Sequence, residues 1–177
     1  LVGRNTDGIG FIENLREGSK WDPTDGPVVV LGAGGAARAV IAALNHAEVG
    51  EIRICNRKFS RAESLASTFG TSCVAIDWSN RDASLEDAAL LVNTTSLGME
   101  GQPPLEIKLD ALSPRAVVND IVYVPLETPL LEAARARGNW TVDGLGMLLH
   151  QARPAFEEWF GKLPDISIGL RNYVLEK

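Results

Sequence analysis

Short apolar runs recur along the middle of the chain, and segments of helical composition separate most of them. The run at 28–31, VVVL, is uncharged and β-branched, which is typical of a strand buried on both faces. The pattern predicts strands at 28–31, 51–55, 73–76, 90–93, 116–119 and 140–142. It predicts intervening helices at 36–47, 60–69, 84–89 and 128–137. Because this alternation builds βαβ units, we predict an α/β protein with a doubly wound, mostly parallel six-stranded sheet and flanking helices.

Local signals mark the ends of two of these helices. Ser60, followed three residues later by Glu63, has the form of a capping box, and Gly70 follows the predicted helix end. Thr128 is placed as the N-cap of the fourth helix, which Gly138 is expected to end. These signals sharpen the predicted boundaries of the helices at 60–69 and 128–137.

The sheet is predicted to have helical segments on both sides of it in sequence. The first predicted helix covers 6–16, a long amphipathic helix covers 145–160, and 166–175 is a further candidate. The chain therefore divides into a linking helix within 1–23, a sheet domain at 24–143, and C-terminal helices within 144–177.

A glycine fingerprint follows the first predicted strand directly. Gly32, Gly34 and Ala37 have the G-x-G-x-x-G/A form between a strand and a helix. The first position permits a tight turn, the second lets backbone approach a pyrophosphate, and the small third residue lets helix pack on strand. The predicted dinucleotide contacts are Gly32, Ala33, Gly34, Gly35, Ala36 and Ala37. This loop in this context predicts a Rossmann-like dinucleotide-binding domain.

The end of the second predicted strand bears on which dinucleotide is bound. NAD sites usually place an acid here for the ribose 2′-hydroxyl. The turn instead contains Asn56, Arg57 and Lys58, with Arg61 one helical turn further on. Guanidinium groups suit a phosphate, so the turn favours NADP, although charge runs are also common on plain solvated surfaces.

Further polar residues follow the later strands. Thr94, Thr95 and Ser96 succeed the fourth strand, and Tyr123 succeeds the fifth, at the edge where ligands bind in such folds. Each also has a purely structural interpretation, as turn hydroxyls or a surface aromatic. Gln151 lies between apolar turns and is a candidate for contact with a substrate, whereas Asp7 at a helix start has the position of a capping acid.

Composition excludes several classes of protein. The chain has 177 residues, 45% of them hydrophobic, with 17 Lys plus Arg against 23 Asp plus Glu. No stretch is long and apolar enough for a membrane span, and a net charge of −6 argues against nucleic acid as the main partner. Cys55, Cys73, His46 and His150 have no metal-ligand spacing, so we predict no metal site. Two free cysteines are expected to be buried in a reducing, cytoplasmic protein.

Six sequence blocks in this order resemble the shikimate dehydrogenase family. They are GRNTDGIG, VLGAGGAARAV, NRKFSRA, VNTTSLGM, DIVYVPLETPLL and DGLGMLLHQARPAF, and they span most of residues 3–160. The resemblance implies NADPH-dependent reduction of 3-dehydroshikimate to shikimate by a two-domain enzyme. It implies that this chain, which begins with Leu rather than Met, is the NADP-binding half with its linking helices, and that the N-terminal substrate domain and its catalytic lysine lie outside it.

The resemblance also implies roles for individual residues. Asp7 corresponds to the acid of the family's catalytic Lys–Asp pair, and Asp7, Tyr123 and Gln151 correspond to substrate contacts. Asn56, Arg57 and Arg61 correspond to the site for the adenosine 2′-phosphate, where Lys58 replaces the family's usual Thr or Ser. Ile121, Gly144 and Met147 correspond to positions beside the nicotinamide. We also predict Thr95, in the block VNTTSLGM, as a contact of the cofactor.

Other functions remain open at this point. The domain resembles in outline the nicotinamide-binding domain of other enzymes, such as a glutamyl-tRNA reductase or a methylene-tetrahydrofolate dehydrogenase. It is also compatible with a quinate-using relative that takes NAD, or with a non-catalytic NADP-sensing module. The expected oligomeric state is a monomer or a homodimer.

Overall fold

The computed structural model describes residues 3–176 and contains one all-parallel sheet of six strands in the order β3-β2-β1-β4-β5-β6. The strands are β1 (Val28–Leu31), β2 (Ile52–Asn56), β3 (Cys73–Asp77), β4 (Leu90–Asn93), β5 (Val117–Asp120) and β6 (Trp140–Val142). The helices are α1 (Asp7–Gly18), α2 (Gly35–His46), α3 (Phe59–Phe69), α4 (Pro129–Ala136), α5 (Gly144–Phe160) and α6 (Ile168–Leu175). The predicted α/β class and six-stranded sheet are confirmed, and every strand pair is parallel.

The strand order reverses beside β1. β1 pairs with β2 on one side and with β4 on the other, so the connections leave in opposite directions from the centre of the sheet. In open α/β sheets ligands bind at such a point, outside the carboxyl ends of the strands. Because all strands are parallel, the residues that follow β1, β2, β4 and β5 meet at this one edge.

Successive strand residues send their side chains to two separate cores. Val28 and Val30 of β1 pack on one face, with α1, α2, α3 and Met147 of α5. Val29 and Leu31 pack on the other face, with α4 and Leu112 of the preceding loop. Burial on both faces explains why the central strand at 28–31 is a continuous apolar run instead of an alternating one.

Two local predictions were wrong. Helix α3 begins at Phe59 with Lys58 as its N-cap and no side-chain cap, so Ser60 and Glu63 do not form the predicted capping box. The segment predicted as a helix at 84–89 is a short 3₁₀ helix, Ala83–Leu85, after another at Trp78–Asn80. The predicted cap at Thr128 is confirmed, since its hydroxyl accepts from the N–H of Leu131.

Helices α1 and α5 pack with their backbones unusually close. A Cβ on Gly10 would lie 2.6 Å from the carbonyl oxygen of Met147, and a Cβ on Gly146 would lie 1.8 Å from Oδ1 of Asn14. The Asn14 amide donates to the carbonyl of Asp143 at 2.7 Å, which ties the middle of α1 to the start of α5. These glycines fix the helix pair that carries Asp7 and Gln151.

Membrane spans and metal clusters are both absent from the described part of the chain. No helix within residues 3–176 is long and apolar enough to cross a membrane. The same residues contain no group of three or more His, Cys, Asp or Glu side chains arranged to hold a metal ion.

We expect Gly146→Ala to destabilise the fold by about 1–3 kcal/mol, because the new methyl group would overlap the buried Asn14 side chain and displace it from its bond to the Asp143 carbonyl. Gly169→Ala is the matched control in helix α6, where a Cβ meets only Ser167 Oγ at 3.6 Å. It should be neutral or stabilising by up to about 1 kcal/mol, since alanine favours helix over glycine. Urea unfolding of both variants checks this, and equal stabilities would show that the α1–α5 contact is loose.

Candidate functional site

The glycine loop is shaped by close contact with the neighbouring strand end. Gly32 adopts φ +110°, and a Cβ there would lie 2.6 Å from Thr94 Oγ1. Its N–H donates to the carbonyl of Cys55 at 2.7 Å, while the Thr94 hydroxyl donates to the carbonyl of Leu31 at 2.6 Å. A residue with a side chain would be both strained and obstructed here. The structure therefore shows why the first position of the fingerprint has to be glycine.

The start of helix α2 faces open space. Gly34 is its N-cap, no side chain caps the helix, and Cβ atoms on Gly34 and Gly35 would meet nothing within 4 Å. Ala37 is buried against the sheet, as predicted for the small third position. Ala33 is half-buried and Ala36 lies beyond it at the start of the helix. The first N–H groups of a helix have no intrahelical partner, so this arrangement offers donors and a positive dipole end to an anion.

The turn after β2 presents three exposed cations. Arg57, Lys58 and Arg61 are all exposed, and across residues 3–176 none of them forms an ion pair with a carboxylate. Asn56 is half-buried and its amide donates to the carbonyl of Lys58 at 2.8 Å. Asp77 is the ladder partner of Asn56 on β3, so an acid is nearby in space although not in the turn. The Asp77 carboxylate accepts from the N–H and hydroxyl of Ser79, and these bonds lower its pKa.

A cavity of about 300 Å³ opens between the segments that follow β4 and β5. Its walls are Thr94, Thr95, Ser96, Met99, Ile121, Val122, Tyr123 and Val124. The Thr95 hydroxyl is already used within its own turn, donating to Asn93 Oδ1 at 2.8 Å and accepting from the N–H of Leu97 at 3.1 Å. Apolar and aromatic walls with a few polar groups suit a flat ring of moderate size.

A buried polar network joins the two walls of this cavity. Asp120 Oδ1 accepts from the Asn93 amide at 3.0 Å and from the N–H of Val122 at 3.1 Å. Its Oδ2 accepts from the Thr128 hydroxyl at 2.7 Å. Asn93 in turn accepts from the N–H of Thr95 at 3.0 Å and donates to the carbonyl of Leu97 at 3.1 Å. Three buried side chains thus set the course of both loops.

The Asp120 carboxylate is fully buried, and its hydrogen-bond partners are neutral groups. Burial raises its pKa from the ordinary 3.8 to about 6, and the hydrogen bonds from Thr128, Val122 and Asn93 offset only part of that effect. The ionised form is therefore held at a cost to the fold.

Sequence reasoning did not single out Asn93 or Asp120 as candidate functional residues. The available signal was positional: each is a polar residue at the end of a fully buried strand, LLVN for β4 and VVND for β5. Thr128 was predicted as a helix cap, but its second bond, to Asp120, depends on the tertiary fold. The sequence marks the Thr94 hydroxyl as a candidate polar group, and the structure shows that it donates to the carbonyl of Leu31 at the end of β1.

Helix packing brings Gln151 against the helix that begins at Asp7, whereas Tyr123 lies at the cavity after β4 and β5. Gln151 of α5 lies against Gly10 of α1, which comes one helical turn after Asp7. A Cβ added to Gly10 would lie 2.7 Å from the Cβ of Gln151. Asp7 is half-buried, and its carboxylate accepts from the Asn5 amide at 3.2 Å. Tyr123 is 46% exposed at the mouth of the cavity.

The start of helix α5 adjoins the same cavity. A Cβ on Gly144 would lie 2.2 Å from the carbonyl oxygen of Ile121, so only glycine allows this approach. Met147 is buried in the core on the α1 side, and its carbonyl faces Gly10. His150, next to Gln151, is buried, with Nε2 2.7 Å from Glu17 Oε2. That pairing between α1 and α5 gives His150 a structural role in joining the two helices.

Comparison with known proteins assigns the family. The model for shikimate / quinate 5-dehydrogenase matches residues 18–99, and the model for the shikimate 5′-dehydrogenase C-terminal domain matches residues 144–169. A shikimate dehydrogenase (NADP(+)) of Paramagnetospirillum magneticum is 60% identical over 176 residues, which is 99% of this chain. The chain belongs to the shikimate dehydrogenase family. It spans 64% of the length of that relative.

Solved structures of shikimate dehydrogenase relatives share the fold. A quinate dehydrogenase from Corynebacterium glutamicum in complex with NAD matches with a TM-score of 0.89 and 36% identity, over 99% of this chain and 63% of that one. The shikimate 5-dehydrogenase of Thermus thermophilus in complex with NADP(H) and shikimate matches with a TM-score of 0.84 and 38% identity, over 98% and 63%. The family predicted from the six sequence blocks is therefore confirmed.

We expect the buried charge of Asp120 to make stability depend on pH. The folded state binds this proton more tightly than the unfolded state does, so the stabilisation is full below about pH 4 and is lost as the pH rises through about 6. A pKa displaced from 3.8 to about 6 corresponds to about 3 kcal/mol. The free energy of unfolding, measured in urea from pH 4 to 7, should therefore fall in the wild type by up to that amount relative to Asp120→Asn.

The matched control is Asp77→Asn. Asp77 is exposed and its pKa is lowered, so its stabilisation is present above its pKa and fades only towards lower pH. This variant should keep the wild-type fall between pH 4 and 7. If Asp120→Asn keeps it as well, the Asp120 carboxylate is not the group that titrates.

Proposed function

We propose that this chain forms the NADP-binding part of a shikimate dehydrogenase, which reduces 3-dehydroshikimate to shikimate. The observation that carries the proposal is the meeting of three features at one sheet edge. These are the open glycine loop at α2, the unpaired cations after β2 and the ring-sized cavity after β4 and β5. Their order from β2 through β1 to β4 and β5 matches the order of phosphate-bearing ribose, pyrophosphate and nicotinamide along the cofactor.

The residues present fit NADP at both ends. The loop Gly32–Ala37 would hold the pyrophosphate, because its Cβ-free positions leave space in front of helix N–H groups. Arg57, Lys58 and Arg61 would hold the 2′-phosphate, with Asn56 beside them. Thr95 and Ile121, which line the cavity, would flank the nicotinamide, while Gly144 and the buried Met147 would support the wall from behind. When bound, NADPH supplies the hydride, and the protein supplies orientation and proton handling.

Lys58 occupies a position where the family usually has a hydroxyl. As the N-cap of α3 it makes no side-chain cap bond. A hydroxyl here would donate one hydrogen bond to a phosphate, whereas the ammonium adds a full charge to the attraction. We propose that the exchange maintains the preference for NADP and makes it more dependent on ionic strength.

The substrate side is proposed to form around Asp7, Tyr123 and Gln151. Reduction of a carbonyl requires a proton donor near its oxygen as the hydride arrives. The family resemblance assigns that donor to a lysine outside these 177 residues. Asp7 would hold its ammonium group and accept from a substrate hydroxyl, while Tyr123 and Gln151 would fix the ring within reach of the nicotinamide.

This assignment divides the chain into three parts. Residues 24–143 form the NADP-binding domain, residues 1–23 contain a linking helix, and residues 144–177 contain helices that turn back towards the substrate domain. The contacts of α1 with α5 support the proposal that both flanking segments act together, since Gly10 and Asn14 pack directly on Met147 and Gly146.

A quinate dehydrogenase that uses NAD is the second candidate, because the C. glutamicum enzyme in complex with NAD has the same fold over 99% of this chain. An acid positioned for the ribose 2′-hydroxyl would favour it. The nearest acid on the ladder, Asp77, is bonded to Ser79, and the turn itself bears only cations. The balance of charge therefore favours NADP.

We expect Arg57→Ala to weaken NADP binding by at least about tenfold and to leave NAD binding nearly unchanged. A hydrogen bond to a charged group contributes roughly 1.5–3 kcal/mol, and only NADP has the 2′-phosphate. Calorimetric titration of the chain with each dinucleotide measures both affinities. Arg115→Ala is the control: it removes the same charge from an exposed position just before β5, at the opposite edge of the sheet. Equal wild-type affinities for the two dinucleotides would contradict the assignment of the turn.

The role of Asp7 is tested in a protein that joins this chain to the remaining length of its relatives. There Asp7→Asn should lower the turnover of shikimate about 100-fold or more, the scale of a positioned acid–base group. NADP affinity and thermal stability should stay at wild-type values, because the Asp7 carboxylate bonds only Asn5 among the described residues. Unchanged turnover would leave Asp7 as a residue of the helix start alone.

A further inference from the structure

The two loops that line the cavity are linked mainly by side chains. Backbone bonds between them are few: the N–H of Ile121 donates to the carbonyl of Asn93 at 3.1 Å, and that of Glu100 donates to the carbonyl of Val124 at 2.9 Å. Between these two points the path of residues 94–97 follows the Asn93 side chain, which bonds both Thr95 and Leu97. The orientation of that one amide therefore determines the shape of one cavity wall.

A side-chain amide donates hydrogen bonds through its NH₂ group and accepts them through its oxygen. Asp120 determines the orientation of the Asn93 amide. A carboxylate only accepts hydrogen bonds, so the Asn93 nitrogen must face it and the Asn93 oxygen must face the N–H of Thr95. With its amide reversed, Asn93 would set an oxygen against a carboxylate and an NH₂ group against an N–H donor. Asp120 thus selects a single conformation of residues 94–97.

The same carboxylate also determines the opposite wall. Its Oδ1 accepts from the N–H of Val122, and its Oδ2 accepts from the Thr128 hydroxyl at the end of the segment that contains Tyr123. Both Asp120 and Thr128 are fully buried. Loss of the carboxylate therefore removes the acceptor from three buried donors.

We propose that Asp120 is a positioning residue for the nicotinamide end of the cofactor, acting through Asn93 and Thr128 on the two loops that line the cavity. The inference rests on the proposed NADP-binding function and adds a residue to it. Asp120 lies behind the cavity wall, so it serves binding by keeping the loops in the bound shape before the ligand arrives. The adenosine end is held by the α2 loop and the turn after β2, whose hydrogen bonds within residues 3–176 do not involve Asp120, Asn93 or Thr128.

The test compares two probes on the chain: NADP, and adenosine 2′,5′-bisphosphate, which has the adenosine end without the nicotinamide. In Asp120→Ala the ratio of the NADP affinity to the adenosine 2′,5′-bisphosphate affinity should fall roughly two- to tenfold. The reason is that the loops are no longer held in place and have to be ordered when NADP binds. The affinity for adenosine 2′,5′-bisphosphate should remain at its wild-type value. Asp120→Asn, which keeps an acceptor oxygen towards Asn93 and Val122, should retain most of the wild-type ratio.

Asn139→Ala is the matched control for a buried polar loss. Asn139 is buried near the opposite edge of the sheet, where its amide donates to the carbonyls of Ser113 and Ala116. It should lower thermal stability and leave the ratio of affinities unchanged. A role in folding alone would lower both affinities together in Asp120→Ala or change neither, and either result would overturn the proposal.

Asn93→Ala provides a second measurement if Asp120→Ala does not fold. It removes the amide that links Asp120 to Thr95 and Leu97, so the same fall in the ratio is expected. An unchanged ratio in Asn93→Ala overturns the proposal. Failure of the wild-type chain to bind either probe would instead contradict the NADP-binding function, which keeps the two failures distinct.

Discussion

A carboxylate buried at the end of a central strand is the constraint around which this site is organised. Asp120 ends β5 in a sheet whose two faces are both covered, so its charge has to be met by donors from the protein itself. Those donors come from β4, from its own loop and from the start of α4. The bonds from these donors fix three chain segments at the edge where ligands bind. The fold in turn has to hold a buried carboxylate whose pKa is raised to about 6.

Close backbone contacts extend this geometry to the helices. Gly144 lets α5 begin against the carbonyl of Ile121, directly after the strand that Asp120 ends. Gly10 then lets the backbones of α1 and α5 approach closely, and Gly146 leaves the space that the Asn14 side chain of α1 fills. As a result the positions of Asp7 and Gln151 are set by packing at fixed distance from β5 and not by flexible loops. A shift of about one ångström at these contacts would move the proposed substrate residues relative to the cavity, and catalysis is sensitive to such displacements.

Much of the fold was predictable because its signals are local. The run at 28–31, the fingerprint at Gly32 and Gly34, and the cap at Thr128 each depend on a few neighbouring residues. The wrong cap at Ser60 is also local: the pattern at 58–63 favours Ser60, but the helix begins at Phe59 with Lys58 as its N-cap. The omission of Asn93 and Asp120 has the opposite origin, because their link joins residues 27 positions apart. Such bonds exist only once β4 and β5 lie side by side, so no window of sequence contains them.

The two ends of the proposed cofactor site are built from different interactions, so they differ in how easily a substitution can change what they bind. The adenosine end relies on exposed cations after β2, where replacing one residue changes the charge without touching the core. The nicotinamide end relies on a buried network, where the same replacement would disturb three chain segments. Enzymes in complex with NAD and with NADP(H) share this fold with TM-scores of 0.89 and 0.84. We infer that cofactor choice varies readily at Arg57, Lys58 and Arg61, whereas the cavity after β4 and β5 has to keep its geometry whichever dinucleotide is bound.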